Sequence, residues 1–159
     1  MSKTLVTYFS ASGVTAELAK KLSIAIGADL YEIKPAVPYT KADLNWMDKN
    51  SRSSIEMKDP TSRPDIAGTP ENMAEYDTVF VGFPIWWYVA PTIVNTFLES
   101  CDLAGKNLIP FATSGGSSMG MTNEKLQPSC PGAKLLEGKV WKKHAKVEEL
   151  STWAEEMLK

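Results

Sequence analysis

The chain has 159 residues, of which 17 are Lys or Arg and 19 are Asp or Glu, so its formal net charge at pH 7 is −2. This balance excludes the strongly basic surface typical of nucleic-acid-binding proteins, and we expect no nucleic acid among its partners. The length suits one domain over residues 1–159 with a sizeable core. The longest apolar stretch, residues 79–90, contains Pro84 and is too short to cross a bilayer, so we expect no membrane insertion.

Two cysteines, Cys101 and Cys130, lie far apart and form no CxxC pair, which indicates free thiols in a reducing cytoplasm. The sequence shows no charged and then apolar stretch before the first predicted strand, so we expect no signal segment. His144 is the only histidine, and no Cys, Asp or Glu cluster accompanies it, so we expect no metal site.

The first predicted strand, residues 5–9, ends in a loop that is rich in hydroxyl groups. Apolar residues at helical spacing follow the loop, and Gly27 is placed to end that helix. A turn at a helix N-terminus directs free N–H groups at an anion, usually a phosphate. The loop lacks the GxxxxGK[ST] and GxGxxG patterns and the Cys and Arg of a phosphatase, so it suits a phosphate that is held without reaction. An ordinary Ser-rich helix cap is the alternative.

Residues 29–34 alternate as in an edge strand, and the segment from residue 40 to residue 70 is the least regular part of the chain. Residues 44–47 indicate a short helix, and residues 50–64 an ordered loop with helical pieces. The charges of that loop indicate a solvated face, although Arg52, Glu56 and Met57 could approach a ligand.

Residues 78–83 form a fully apolar predicted strand, which leads into three consecutive aromatic residues, Trp86, Trp87 and Tyr88. A helix on residues 93–101 and a strand on residues 108–113 follow. That strand ends in a second glycine-rich loop. A short helix at 122–126, a weaker strand at 135–141 with a bend or bulge at Gly138, and a helix at 147–157 complete the pattern.

Alternating strands and helices predict a doubly wound α/β sandwich with a parallel sheet. Ligands bind beyond the carboxyl ends of such strands, where three loops meet: Ser10–Thr15, Pro84–Tyr88 and Thr113–Ser117. The first suits a phosphate, the second offers aromatic rings for stacking, and the third offers peptide N–H groups to the polar edge of a ring. Together they describe a site for flavin mononucleotide (FMN).

The motifs SASGVT, VGFPIWWYVAP and TSGGSSMG, in this order, resemble the flavodoxin family over essentially the whole chain. The resemblance implies a five-stranded parallel sheet in the order 2-1-3-4-5 and FMN as the cofactor. The cofactor-binding residues that it implies are Ser10, Ala11, Ser12, Gly13, Val14, Thr15, Pro84, Ile85, Trp86, Trp87, Tyr88, Thr113, Ser114, Gly115, Gly116 and Ser117.

Two features depart from a dedicated one-electron flavodoxin. The net charge of −2 is close to neutral, whereas such carriers tend to be strongly acidic. The aromatic loop contains no Gly, and the β-branched Ile85 and Val89 resist positive φ, so we expect the loop to lack the peptide flip that favours one-electron reduction. Its FP-x-WW-x-x-x-P pattern also resembles flavodoxin-fold quinone reductases.

The leading hypothesis is therefore an FMN-binding redox protein that passes electrons between a reductase and an acceptor, with no catalytic side chain. An FMN-dependent NAD(P)H:quinone-type oxidoreductase is the alternative, so the partner is either a redox protein or a small quinone-like acceptor. A hydrolase using Ser12 or Ser117 with His144 lacks the G-x-S-x-G motif. A binding module that has lost FMN is the last alternative, and a colourless purified protein would favour it.

Overall fold

The computed structural model describes residues 3–11, 13–114, 118–142 and 144–158. Its centre is a parallel sheet in the order β2-β1-β3-β4-β5, with a further segment, β6, that also pairs with β4. The predicted order 2-1-3-4-5 is confirmed. The strands are β1 (Thr4–Tyr8), β2 (Asp29–Glu32), β3 (Thr78–Pro84), β4 (Asn107–Thr113), β5 (Lys134–Leu135) and β6 (Lys139–Trp141).

The segments β5 and β6 are the two halves of the predicted fifth strand. Leu135 is opposite Leu108 and Lys139 is opposite Phe111, so four steps along this strand match three along β4. One extra residue of this kind is a β-bulge. A Cβ at Gly138 would lie 2.5 Å from the carbonyl oxygen of Pro110, which explains the glycine and confirms the predicted bulge.

Helices cover both faces of the sheet, as apolar parallel strands require. Two separate clusters of buried side chains result, one beneath α3 and the other beneath α1 and α5. The side chains of neighbouring strand residues alternate between the two clusters, as with Val79 and Phe80. The helices are α1 (Val14–Ile26), α2 (Arg52–Lys58), α3 (Thr92–Ser100), α4 (Thr122–Leu126) and α5 (Val147–Met157), with 3₁₀ turns at Met73–Glu75 and Gln127–Ser129.

The segment between β2 and β3 differs from its predicted form. The helix expected at residues 44–47 is absent, and these residues form turns. The Asn45 side chain accepts a hydrogen bond from the Met47 N–H at 3.2 Å, a local contact that competes with helical hydrogen bonding. The helix of this segment is α2, which lies within residues 50–64, where helical pieces were expected. The side chain of Ser51 caps it by accepting from the Ser54 N–H.

Within the described ranges, none of the helices has the length and apolar character needed to cross a membrane.

Candidate functional site

The loop between β1 and α1 has the form of an open helix N-terminus. Gly13 is the N-cap residue of α1 with φ 94°, and none of the described side chains caps the helix. The N–H of Gly13 donates to Ser10 Oγ at 3.0 Å, which turns the serine hydroxyl back over the loop. The N–H groups of the first helical turn are therefore not taken by a capping side chain. Ser12 lies outside the described residues.

A buried pair of hydroxyl groups joins this loop to the end of β4. Thr15 Oγ1 and Thr113 Oγ1 lie 2.8 Å apart, although 98 positions separate them in the chain. Both residues are nearly inaccessible, so this hydrogen bond is made away from water. The next residue, Ser114, donates its N–H to the carbonyl oxygen of Trp141 at 3.4 Å. Gly115, Gly116 and Ser117 lie outside the described residues.

The aromatic loop after β3 is a tight two-residue hairpin. Trp86 and Val89 exchange backbone hydrogen bonds of 2.9 and 3.2 Å. Between them, Trp87 has φ 48° and Tyr88 has φ 68°, the signs of a type I′ turn. Ile85 and Val89, which were expected to resist positive φ, do not adopt it, and the two aromatic residues between Trp86 and Val89 adopt it although neither is a glycine. The two hydrogen bonds hold the turn, and the N–H of Met121 donates to the carbonyl oxygen of Tyr88 at 3.3 Å.

The three consecutive aromatic residues occupy different environments. Trp86 is half-buried and meets Phe9 and Tyr39 edge to face, with ring centroids 5.9 and 5.7 Å apart. By contrast, Trp87 is 44% exposed and Tyr88 is 65% exposed. Trp86 therefore anchors the loop to the core, whereas the rings of Trp87 and Tyr88 are exposed to solvent.

A cleft of about 560 Å³ lies between the aromatic loop and the loop before α1, within the size range of small-molecule sites. Its lining includes predicted residues of both loops, namely Ala11 from the loop before α1 and Pro84–Tyr88 from the aromatic loop. The opposite wall comes from the segment between β2 and β3 and was not predicted. The contributing residues are Leu44, Trp46 and Ser53.

One signal in the sequence could have indicated that wall. Trp46 and Met47 are large apolar residues in a polar stretch, and the structure leaves them 68% and 74% exposed. Adjacent exposed apolar side chains indicate a contact surface more often than a solvated loop.

Arg52 and Glu56 do not line this cleft, because they bind each other and Tyr39. Arg52 Nε lies 3.0 Å from Glu56 Oε2, and the guanidinium lies 3.8 Å above the Tyr39 ring. The Tyr39 hydroxyl donates to Glu56 Oε1. Burial and this hydrogen bond raise the pKa of Tyr39 well above its ordinary value, so the phenol stays protonated. These contacts fix the segment against the aromatic anchor Trp86.

Other candidate chemistry finds little support in the part of the chain that the structure describes. No group of three or more His, Cys, Asp or Glu side chains is placed to hold a metal ion there. His144 is exposed between β6 and α5. Cys101 and Cys130 are free thiols, and burial raises the pKa of Cys101 to about 11.

The flavodoxin sequence profile matches residues 3–157 of the chain. A protein of solved structure from Bacteroides eggerthii, classed as a flavoprotein, is 48% identical with a TM-score of 0.93, and the match covers 100% of this chain and 99% of that one. One from Bacteroides uniformis, also so classed, is 50% identical with a TM-score of 0.91, covering 97% and 98%.

A more distant likeness concerns the fold alone. A flavoprotein from Lactobacillus acidophilus, crystallised in complex with FMN, is 22% identical with a TM-score of 0.75, and the match covers 97% of this chain and 99% of that one. A search of curated proteins gave no significant match.

Proposed function

We propose that this chain, which belongs to the flavodoxin family, binds FMN and carries electrons through the bound flavin. The observation that carries the proposal is that an uncapped helix N-terminus, exposed aromatic rings and a cleft of about 560 Å³ adjoin one another at the carboxyl ends of β1 and β3. Flavin mononucleotide needs a site for its phosphate and, within the length of the molecule, a flat apolar site for its ring. The helix N-terminus suits the phosphate, and the cleft beside the aromatic rings suits the flavin ring.

The phosphate would be held by the loop of residues 10–15. Because none of the described side chains caps α1, the N–H groups of Val14 and Thr15 would remain for an anion, and the positive end of the helix dipole favours negative charge there. No Lys or Arg lies in the loop, so binding would depend on these N–H groups and on the Ser10 hydroxyl. Ser12 and Ala11 complete the proposed phosphate set.

The flavin ring would occupy the cleft beside the aromatic hairpin. We assign stacking to the exposed rings of Trp87 and Tyr88 and an anchoring role to Trp86, because its edge-to-face contacts with Phe9 and Tyr39 fix it in place. Pro84 and Ile85 would form the base of that wall. The loop of residues 113–117 would present polar groups to the ring edge, which covers Thr113, Ser114, Gly115, Gly116 and Ser117.

FMN supplies the redox chemistry when bound, and the protein contributes binding, orientation and exclusion of water. We assign no acid or base role to any side chain. The acceptor would be a redox protein or a small quinone-like molecule. The free thiols of Cys101 and Cys130 support a location in the reducing cytoplasm.

The second candidate is an FMN-dependent NAD(P)H:quinone-type oxidoreductase. The observation that favours it is the open outer wall of the cleft, where Trp46 is 68% exposed and a planar substrate would find a second aromatic face. Oxidation of NAD(P)H by the FMN-loaded protein in the presence of a quinone would support this candidate. Its absence, together with reduction by a separate reductase, would support the electron carrier.

The decisive experiment is titration of the purified protein with FMN and with riboflavin, followed by flavin fluorescence and absorbance. We expect saturable binding of FMN and binding of riboflavin weaker by about a hundredfold, since riboflavin lacks the phosphate and forfeits several charge-assisted hydrogen bonds. Equal affinity for the two flavins would contradict the phosphate assignment. Absence of binding to either would overturn the proposed function.

A matched pair of variants tests the same assignment from the protein side. Ser10→Glu places a carboxylate at the α1 N-terminus, where it would repel the phosphate, and should weaken FMN binding by about tenfold or more. Ser100→Glu makes the same change at an exposed position at the end of α3 and should leave binding unchanged.

A further inference from the structure

A second cavity lies on the other side of the aromatic hairpin, between the N-terminal half of α3, α4 and residues 57–63. Its volume is about 620 Å³, again within the range of small-molecule sites. Trp87 and Tyr88 line this cavity as well as the proposed flavin cleft, so the hairpin forms a wall between the two. Half of the remaining lining residues are apolar, namely Met57, Pro60, Val89, Ala90, Met121 and Pro128.

One buried polar side chain, Asn95, stands out in this lining. Asn95 is only 7% exposed, and its amide nitrogen donates to the carbonyl oxygen of Lys125 at 3.2 Å and to Ser129 Oγ at 2.9 Å. Both amide hydrogens are thus used, which fixes the orientation of the side chain. Its carbonyl oxygen accepts no hydrogen bond from the described residues, and it is not fully enclosed by protein atoms. Asn95 lines the cavity, and its carbonyl oxygen is the polar atom of this side chain that remains for a ligand there.

The charged groups behind Asn95 neutralise one another. Ser129 donates to Glu99 Oε2 at 2.7 Å, and Arg63 Nε donates to Glu99 Oε1 at 2.9 Å. The hydrogen bond from Arg63 holds the pKa of Glu99 below its ordinary value, so the pair stays ionised and balanced. On the opposite side, Glu124 and Lys125 contribute one charge of each sign. This lining has no excess charge that would select an ionic ligand.

We propose that this cavity binds a neutral aromatic molecule with an N–H or O–H donor, which pairs with the carbonyl oxygen of Asn95. The aromatic part would contact the Tyr88 ring and the thioethers of Met57 and Met121, which are favourable partners for ring edges. The donor would satisfy a buried acceptor in the lining that receives no hydrogen bond from the described residues. This site is separate from the proposed flavin cleft, and it does not require that FMN bind.

Four small probes separate the parts of this proposal on the unaltered protein. Benzamide and phenol supply an N–H and an O–H donor, whereas N,N-dimethylbenzamide and anisole keep the ring and lack the donor. In titrations followed by protein NMR at millimolar probe concentrations, we expect at least one donor probe to bind about tenfold more tightly than its donor-free partner, the effect of one hydrogen bond. Equal affinity within both pairs, or no saturable binding, would overturn the proposal. The pair that shows the difference tells whether the site prefers N–H or O–H.

A matched pair of variants locates the binding. Met121 is 50% exposed and lines the cavity, so Met121→Trp should fill the space, fold normally and abolish binding of the donor probe. Met47→Trp makes the same change at a residue that is 74% exposed and lines neither this cavity nor the flavin cleft, and should bind as the wild type does. Unchanged binding by a folded Met121→Trp protein would refute the location.

The proposal and the FMN assignment fail independently. Titrations with FMN and with the small probes test the two proposals separately. A protein that does not bind FMN can still bind the donor probe, and one that binds no probe can still bind FMN. Should Met121→Trp not fold, the comparison of donor and donor-free probes on the wild type still decides the matter.

Discussion

The hydroxyl groups of Thr15 and Thr113 lie 2.8 Å apart in the interior and join the start of α1 to the end of β4. This hydrogen bond holds together two of the three loops at the ligand-binding edge of the sheet. Thr15 therefore has a structural partner as well as its proposed place near the phosphate. If the loop before α1 holds a phosphate as proposed, this hydrogen bond positions it before the ligand arrives and lowers the entropy cost of binding.

Replacing either threonine by Val should leave the other hydroxyl buried without a partner. We expect Thr15→Val and Thr113→Val each to lower the free energy of unfolding by about 1–3 kcal/mol. The double variant should lose less than the sum of the two, with a coupling of about 1 kcal/mol. Urea denaturation of the four proteins measures this. Additive losses would show that the two hydroxyl groups do not act together. Thr152→Val, on the exposed side of α5, serves as the control.

The neighbouring tryptophans of the hairpin should respond differently to truncation. Trp86→Ala removes the ring that packs on Phe9 and Tyr39 and should lower the free energy of unfolding by about 2–3 kcal/mol. Trp87→Ala, at a 44% exposed position, should change stability by about 0.5 kcal/mol or less and weaken FMN binding by about tenfold. Thermal denaturation and FMN titration of both variants decide this assignment, and the opposite pattern would reverse it.

Gly120 supports the hairpin from the side of α4. A Cβ at this position would lie 2.5 Å from the carbonyl oxygen of Tyr88, a backbone atom that cannot move aside without disturbing the turn. Gly120→Ala should therefore destabilise the fold and weaken FMN binding. Gly105 also has positive φ, 80° against 54°, but a Cβ there meets nothing within 4 Å.

The two glycine variants share the cost of an alanine at positive φ, roughly 1 kcal/mol. Gly120→Ala should lower the free energy of unfolding by about 1 kcal/mol more than Gly105→Ala does, because of the steric contact. FMN titration provides a second readout, in which only Gly120→Ala should differ from the wild type. Equal losses of stability would mean that the hairpin adjusts freely.

Stability should fall in alkaline solution, and Tyr39 should contribute to the fall. Burial and the hydrogen bond to Glu56 raise the pKa of Tyr39 in the folded protein above the ordinary value of 10.0. The folded state thus holds the phenol proton more tightly than the unfolded state does. This stabilisation is fully present below the unfolded pKa and is lost as the pH rises above it.

We therefore expect Tyr39→Phe to lose stability less steeply than the wild type above about pH 10. Below about pH 9, the free energies of unfolding of the two proteins should change with pH in the same way. The variant should be less stable throughout this range, because it lacks the hydrogen bond. Burial also raises the pKa of Tyr8, Tyr31 and Tyr76, so part of the slope should remain. Urea denaturation across this range is the measurement, and identical slopes would exclude a contribution from Tyr39.

Regular elements were predictable because their signals are local. Apolar runs indicated β1, β3 and β4, and the bulge was expected from Gly138 in an otherwise strand-like segment. The short helix expected at residues 44–47 is absent, because Leu44, Trp46 and Met47 are apolar but Asn45 hydrogen-bonds locally. The helix α2 lies within residues 50–64, where helical pieces were expected, but its polar composition did not define its bounds.

The sequence by itself determined that three loops of different chemistry meet at one edge, since parallel strands bring their carboxyl ends together. Only the tertiary structure decided which aromatic residue anchors the hairpin, because Trp86 is held by Phe9 and Tyr39 from other elements. It also decided that Trp87 and Tyr88 adopt positive φ, which neither residue prefers by itself. Such choices depend on contacts between residues distant in the chain, and no local pattern records them.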